Sequence, residues 1–266
     1  MNARVQLQIE QGVALVSLSR ADKHNGMDFQ MLDELLAVQK KLRRERALRA
    51  VILRGDGPSF CAGLDFKSTF SRPLQAALAT LTLWSPVRNR FQRWSMGWRR
   101  LPVPVIAVVH GSCFGAGLQL ALGADIRIAA PDARLSVMES KWGLVPDMGG
   151  AALLRELLPI DVVKELTFTG RVVDASTARA LGLVTHLADD PLARAHELIA
   201  EMLQRSPDAL AAGKRLLQAA WHADEGDALA AERTWQWRVI GRRNQRIAVA
   251  RNSGKPDQAY AQRRIR

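Results

Sequence analysis

Apolar and polar residues alternate in two short runs near the start of the chain, Val5 to Ile9 and Val13 to Leu18, with Gln11-Gly12 between them. A period of two around a glycine-bearing turn predicts a β-hairpin. The period then lengthens. Met31, Leu32, Leu35, Leu36, Val38 and Leu42 keep helical spacing behind Asp28, a capping residue type, and Lys40, Lys41, Arg43 and Arg44 fall where a helix dipole favours cations. Two unbroken apolar runs, AVILRG from Ala50 and PVIAVVHG from Pro104, predict strands buried on both faces. A helix over Ala116 to Leu122 should follow the second, with further strands at Ile126 to Ala129 and Leu135 to Met138. The alternation predicts an α/β core of repeated β-β-α units.

After Gly149-Gly150 the pattern turns helical, apart from a strand expected at Leu183 to His186. Helices are predicted over Ala151 to Leu158, Ile160 to Phe168, Ala175 to Leu181, Leu192 to Gln204, Asp208 to Trp221 and, as one long element, Asp227 to Ala250. Asp147 is placed to cap the helix near Gly150. Beyond Asn252 large apolar residues are sparse, so order there is expected only against a partner. Residues 1–200 are thus read as the α/β core and residues 201–266 as a helical C-terminal oligomerisation region with a basic tail. Residues 66–101 form an insertion too long for an ordinary connection, carrying Phe66, Phe70, Leu74, Leu78, Leu81, Trp84, Phe91, Trp94 and Trp98. These side chains suit an acyl pocket or simple core packing equally.

Composition narrows the function. With 48% hydrophobic and 24% charged residues the chain reads as a soluble globular protein, and no apolar run is long enough to span a bilayer. The first residues lack the apolar core of a signal peptide, so a cytoplasmic location is expected, with Cys61 and Cys113 as reduced, buried thiols. No zinc-ligand spacing is present, and no metal is expected. The net charge of +12 is concentrated: residues 238–266 hold nine Lys or Arg against Asp257, and residues 88–100 hold five Arg and no acid. Such segments suit ligand phosphates, a neighbouring subunit or solvent as well as a nucleic acid, which makes a non-catalytic nucleic-acid-binding protein the rival reading.

Candidate chemistry lies in two turns, Gly57 to Asp65 after the first buried strand and His110 to Leu118 after the second. Their small residues let backbone approach a ligand, and the N–H groups near Ala116 sit at the positive end of a helix, where an oxyanion is favoured. Neither matches a nucleotide-binding fingerprint. The blocks RADKHNGM from Arg20, FCAGLD from Phe60, PVIAVVHGSCFGAGLQLALGADI from Pro104 and LSVMESKWGLVPDMGG from Leu135 together resemble the crotonase (enoyl-CoA hydratase/isomerase) family. His110, where the family commonly has Asn, and the C-terminal tail depart from it.

That resemblance implies a ClpP/crotonase-like α/β fold acting on acyl-CoA thioesters, usually as a trimer or dimer of trimers. It places the oxyanion-hole donors on the backbone N–H of Leu64 and Ala116, with Ala62, Asp65 and Gly115 beside the substrate and Lys23 near the CoA end. The hydratase acids fall on Gln119 and Glu139. Gln119 orients but cannot transfer a proton, and Asp147, eight residues after Glu139, resembles the second acid of dienoyl-CoA isomerases. Double-bond isomerisation is therefore slightly favoured over water addition to a 2-enoyl-CoA. Other acyl-CoA chemistry on the same fold stays open, and coenzyme A enters as part of the substrate with no separate cofactor.

Overall fold

The computed structural model describes residues 3–65, 81, 84, 85 and 87–266. Phe66, Phe70, Leu74 and Leu78 of the insertion lie outside them. Among the described residues the strands are β1 (Val5–Glu10), β2 (Val13–Leu18), β3 (Ala50–Gly55), β4 (Val105–Val109), β5 (Ser112–Phe114), β6 (Ile126–Ala129), β7 (Arg134–Ser136), β8 (Val173–Asp174) and β9 (His186–Leu187). One sheet runs β1-β2-β3-β4-β6-β9, parallel except for the β1–β2 hairpin, and a smaller one runs β5-β7-β8.

Parallel strands need cover on both faces, and the period-two alternation of β3 and β4 supplies two apolar faces. Val51, Leu53, Val105, Ala107 and Val109 join the main core with Met31, Leu35, Trp94 and Leu118. These last come from α1 (Phe29–Arg44), α2 (Arg90–Arg99) and α3 (Ala116–Leu122). After α4 (Gly150–Leu154), α5 (Ile160–Thr169) and α6 (Ala175–Leu181), helix α7 (Pro191–Leu203) covers the opposite face. There Ala195 and Ile199 meet Ala50, Ile52, Ile106, Val108 and Ile128. Each fully buried Ile or Leu stabilises the fold by about 1.5–3 kcal/mol.

The expected Asp28 cap is present, its carboxylate accepting from Met31 N at 2.8 Å. Trp94 and Trp98 are fully buried core residues, so the packing reading of these two rings holds. Several expectations are corrected. The predicted strand at Leu135–Met138 is Arg134–Ser136, the one at Leu183–His186 is His186–Leu187, and the helix predicted to Leu158 ends at Leu154. The long terminal helix is two, α9 (Glu225–Val239) and α10 (Arg243–Asn252), broken at Gly241, whose φ of 68° cannot continue a right-handed helix.

The tail is ordered against its own chain rather than awaiting a partner. Asp208, in α8 (Pro207–Ala220), is buried and accepts from Arg264 N at 2.7 Å, Ile265 N at 2.9 Å and Asn244 Nδ2 at 2.8 Å. A buried carboxylate needs such donors, and the final residues provide two of them.

Candidate active site

The two glycine-bearing turns, separate in sequence, are hydrogen-bonded to each other. Phe60 N donates to His110 O at 2.9 Å, Cys61 N to Ser112 O at 3.0 Å and Phe114 N to Cys61 O at 3.0 Å. Cys61 thereby bridges Cys113 in parallel and adds to the edge of the small sheet. On its other side the first turn meets Met27, which donates to Gly63 O at 2.8 Å and accepts from Asp65 N at 2.9 Å. That ladder uses the peptide groups flanking Leu64, and the Leu64 N–H takes no acceptor among the described residues. Ala116 N, in the first position of α3, takes none either. Both residues line one cavity of about 120 Å³ with Ala62, Gly63, Gly115 and Glu139.

The frame behind these donors is polar and buried. Asn25 Oδ1 accepts from Arg20 N at 2.8 Å, and its Nδ2 donates to Asp56 O at 2.8 Å and Ser59 O at 2.7 Å. Trp94 Nε1 donates to Ala116 O at 2.8 Å, which ties the first turn of α3 to α2. His110 follows β4 directly, its Nε2 2.9 Å from Gly57 O.

Glu139 and Asp147 come to the same cavity, with Gln119 between them. Gln119 Oε1 accepts from Met148 N at 2.9 Å and Gly150 N at 2.8 Å. With its carbonyl so engaged the amide can only present N–H to Glu139, and Nε2 donates to Glu139 Oε1. Gln119 thus ties the Glu139 carboxylate to the segment carrying Asp147. Glu139 Oε2 is buried without a hydrogen-bond partner among the described residues.

Desolvation by burial raises the Glu139 carboxyl above its ordinary range, against the lowering effect of its own backbone N–H and of the Gln119 N–H, with the nearby Asp147 charge a smaller push upward. Asp147 is exposed at the cavity rim, and partial desolvation raises its carboxyl too. It does not cap α4: the cap is Gly149, in the left-handed region with no side-chain bond. Two expected ligand contacts are not at this cavity. Asp65 pairs with Arg20 Nη2 at 2.8 Å and so braces the first turn, and Lys23 is exposed on a short 3₁₀ turn. Met138, Trp142, Leu144 and Met148 also line the cavity; their apolar character was visible in the sequence, but nothing there distinguished them from core residues.

Two unengaged backbone N–H groups beside a desolvated carboxylate line one cavity of this α/β fold, and comparison with known proteins gives its family. The family model described as enoyl-CoA hydratase/isomerase matches residues 8–262. The chain belongs to that family. It is 29% identical over 228 residues to human mitochondrial methylglutaconyl-CoA hydratase, covering 83% of this chain and 65% of the human protein, so it spans just under two thirds of that relative. It is also 29% identical over 224 residues to the mitochondrial Δ(3,5)-Δ(2,4)-dienoyl-CoA isomerase of Dictyostelium discoideum, covering 80% of this chain and 74% of that one. A Thermobifida fusca structure in complex with acetoacetyl-CoA superposes with a TM-score of 0.80 at 33% identity, over 89% of this chain and 94% of that one.

Proposed function

We propose that this member of the family moves a double bond within an unsaturated acyl-CoA. The observation that carries the reading is the Gln119 amide, committed to Glu139 and to two backbone N–H groups, which leaves Glu139 and Asp147 as the proton-transferring groups lining the cavity. The thioester oxygen accepts from Leu64 N–H and Ala116 N–H, which stabilise the charge that grows there as a proton leaves C2. Glu139 Oε2 takes that proton, the C3–C4 double bond shifts to C2–C3, and the proton is returned at C4. In a 3,5-dienoyl chain Asp147 supplies the proton at the far end. Ala62 and Gly115 flank the thioester, and the acyl-CoA bound by the Thermobifida fusca protein supports a CoA thioester as ligand. The cytoplasmic location and the trimeric assembly belong to the same proposal.

The test is product analysis on 3-enoyl-, 3,5-dienoyl- and crotonyl-CoA. Double-bond movement in the first two with slow hydration of the third is expected; robust water addition to crotonyl-CoA with no double-bond movement overturns the reading. Water addition is the second reading, favoured by the hydratase name of the human relative.

A pH profile tests the acids separately. Glu139 must be ionised to accept a proton, so kcat/KM should fall as pH drops through its raised pKa, above the ordinary glutamate value of about 4.3. Asp147→Asn removes a like charge beside it and should move that acid limb to lower pH. A limb that stays put or rises assigns it to another group.

A further inference from the structure

A cavity of about 570 Å³ lies between α1 and α2, apart from the catalytic cavity. Arg100 and Leu101 on its wall lead into the N-terminal end of β4, whereas Gly115 and Ala116 follow the C-terminal end of that strand. Its cationic wall is Lys40, Arg43, Arg88, Arg93 and Arg100, and no carboxylate lines it. None of the five forms an ion pair among the described residues. The residues outside the description, 1, 2, 66–80, 82, 83 and 86, include no Asp or Glu, so no acid there can neutralise them.

Helix stabilisation accounts for only part of this. Lys40 and Arg43 complement the C-terminal end of α1, but Arg88 and Arg93 flank the N-terminal end of α2, where the dipole disfavours cations. Arg100 is lowered by burial and then by Arg88, Arg43 and Arg215, the signature of like charges crowded without a counter-charge. The floor is apolar, from Leu36, Met96 and Leu101, and closes at Gly97, where any Cβ would stand 1.9 Å from Gln39 Oε1. Gln39 Nε2 is in turn held by Arg93 O and Trp94 O, each at 3.2 Å.

We propose that this cavity binds a small phosphate-bearing anion with an apolar or aromatic part, the chemistry of a nucleoside polyphosphate. Guanidinium forks match phosphate oxygens in pairs, and four of the five cations are arginines. The apolar floor takes the base. A single cavity of this size encloses a compact ligand, whereas an extended single strand is held along a continuous basic groove spanning several nucleotides.

Titration calorimetry of the full chain with ATP, tripolyphosphate, adenosine, free CoA and a single-stranded RNA oligonucleotide tests this. ATP should bind more tightly than tripolyphosphate or adenosine, and Arg88→Gln/Arg93→Gln should weaken it at least tenfold. Arg264→Gln, in the other basic segment, should change it less than twofold, and the KM for acyl-CoA should stay within twofold. Lys40→Gln/Arg43→Gln, on the opposite wall, gives the same readout if the first pair disturbs folding. Absent ATP binding, equal loss in Arg264→Gln, or RNA binding that needs Arg88 and Arg93 where ATP binding does not overturns the proposal. A tenfold rise in acyl-CoA KM in the Arg88/Arg93 variant overturns it as well, by making the cavity the phosphate subsite of the CoA substrate.

Discussion

Replacing Glu139 by Gln should lower turnover by about 10²–10⁴-fold, the range for loss of a positioned acid/base, while acyl-CoA affinity changes less than about threefold. The substitution is nearly isosteric. Its carbonyl can still accept from Gln119 Nε2, as Glu139 Oε1 does, so the cavity keeps its shape and the two backbone donors keep theirs. What is lost is the ability of the unpartnered Oε2 to take up a proton. Calorimetry for binding and a spectrophotometric assay for turnover separate these effects. Near-normal turnover would move the proton shuttle to Asp147.

Gly117→Ala should damage the same reaction by a different route. A Cβ at Gly117 would stand 2.1 Å from Cys61 O, 2.8 Å from Cys61 Cβ and 2.9 Å from Cys61 C. Two of those atoms are backbone, so no rotamer relieves the contact, and α3 must move away from the first turn. Leu64 N–H and Ala116 N–H then lose their relative placement. Misplacing one donor is worth about 3 kcal/mol in barrier, or 10²–10³ in kcat. Thermal stability should fall with it, since Cys61 and Cys113 are both buried in the core here. Gly213→Ala is the control: among the described residues, nothing beyond the local backbone of α8 lies within 4 Å of its added Cβ, so activity should be unchanged and stability equal or slightly higher. A fully active Gly117→Ala enzyme would show that the turns can separate without cost to the chemistry.

The sequence made the elements with long, regular patterns legible. α1 was found with its Asp28 cap, and α3 and β6 end where their apolar runs end. β5 and β8 were missed because strands of three and two residues are too short to show a period. The break at Gly241 was hidden because one glycine in a charged helical stretch is often tolerated. At the site, the sequence supplied the identities of Leu64, Ala116, Gln119, Glu139 and Asp147 through resemblance. It could not supply the wiring. That Gln119 holds Glu139 and the 147–150 segment depends on partners 20, 29 and 31 residues away. The Asp65–Arg20 ion pair that braces the first turn likewise joins residues 45 positions apart, which no local pattern reveals.

The mutual hydrogen bonding of the two turns has an evolutionary corollary. The donors are placed by main-chain pairing between Phe60–Cys61 and His110–Phe114, which constrains side chains there only by size. The two carboxylates sit on a separate segment that the Gln119 amide links to α3. Under the proposed chemistry, drift at that link would retune where protons are delivered while leaving the two main-chain donors in place, so new reactions would be accessible to this scaffold without rebuilding its catalytic foundation.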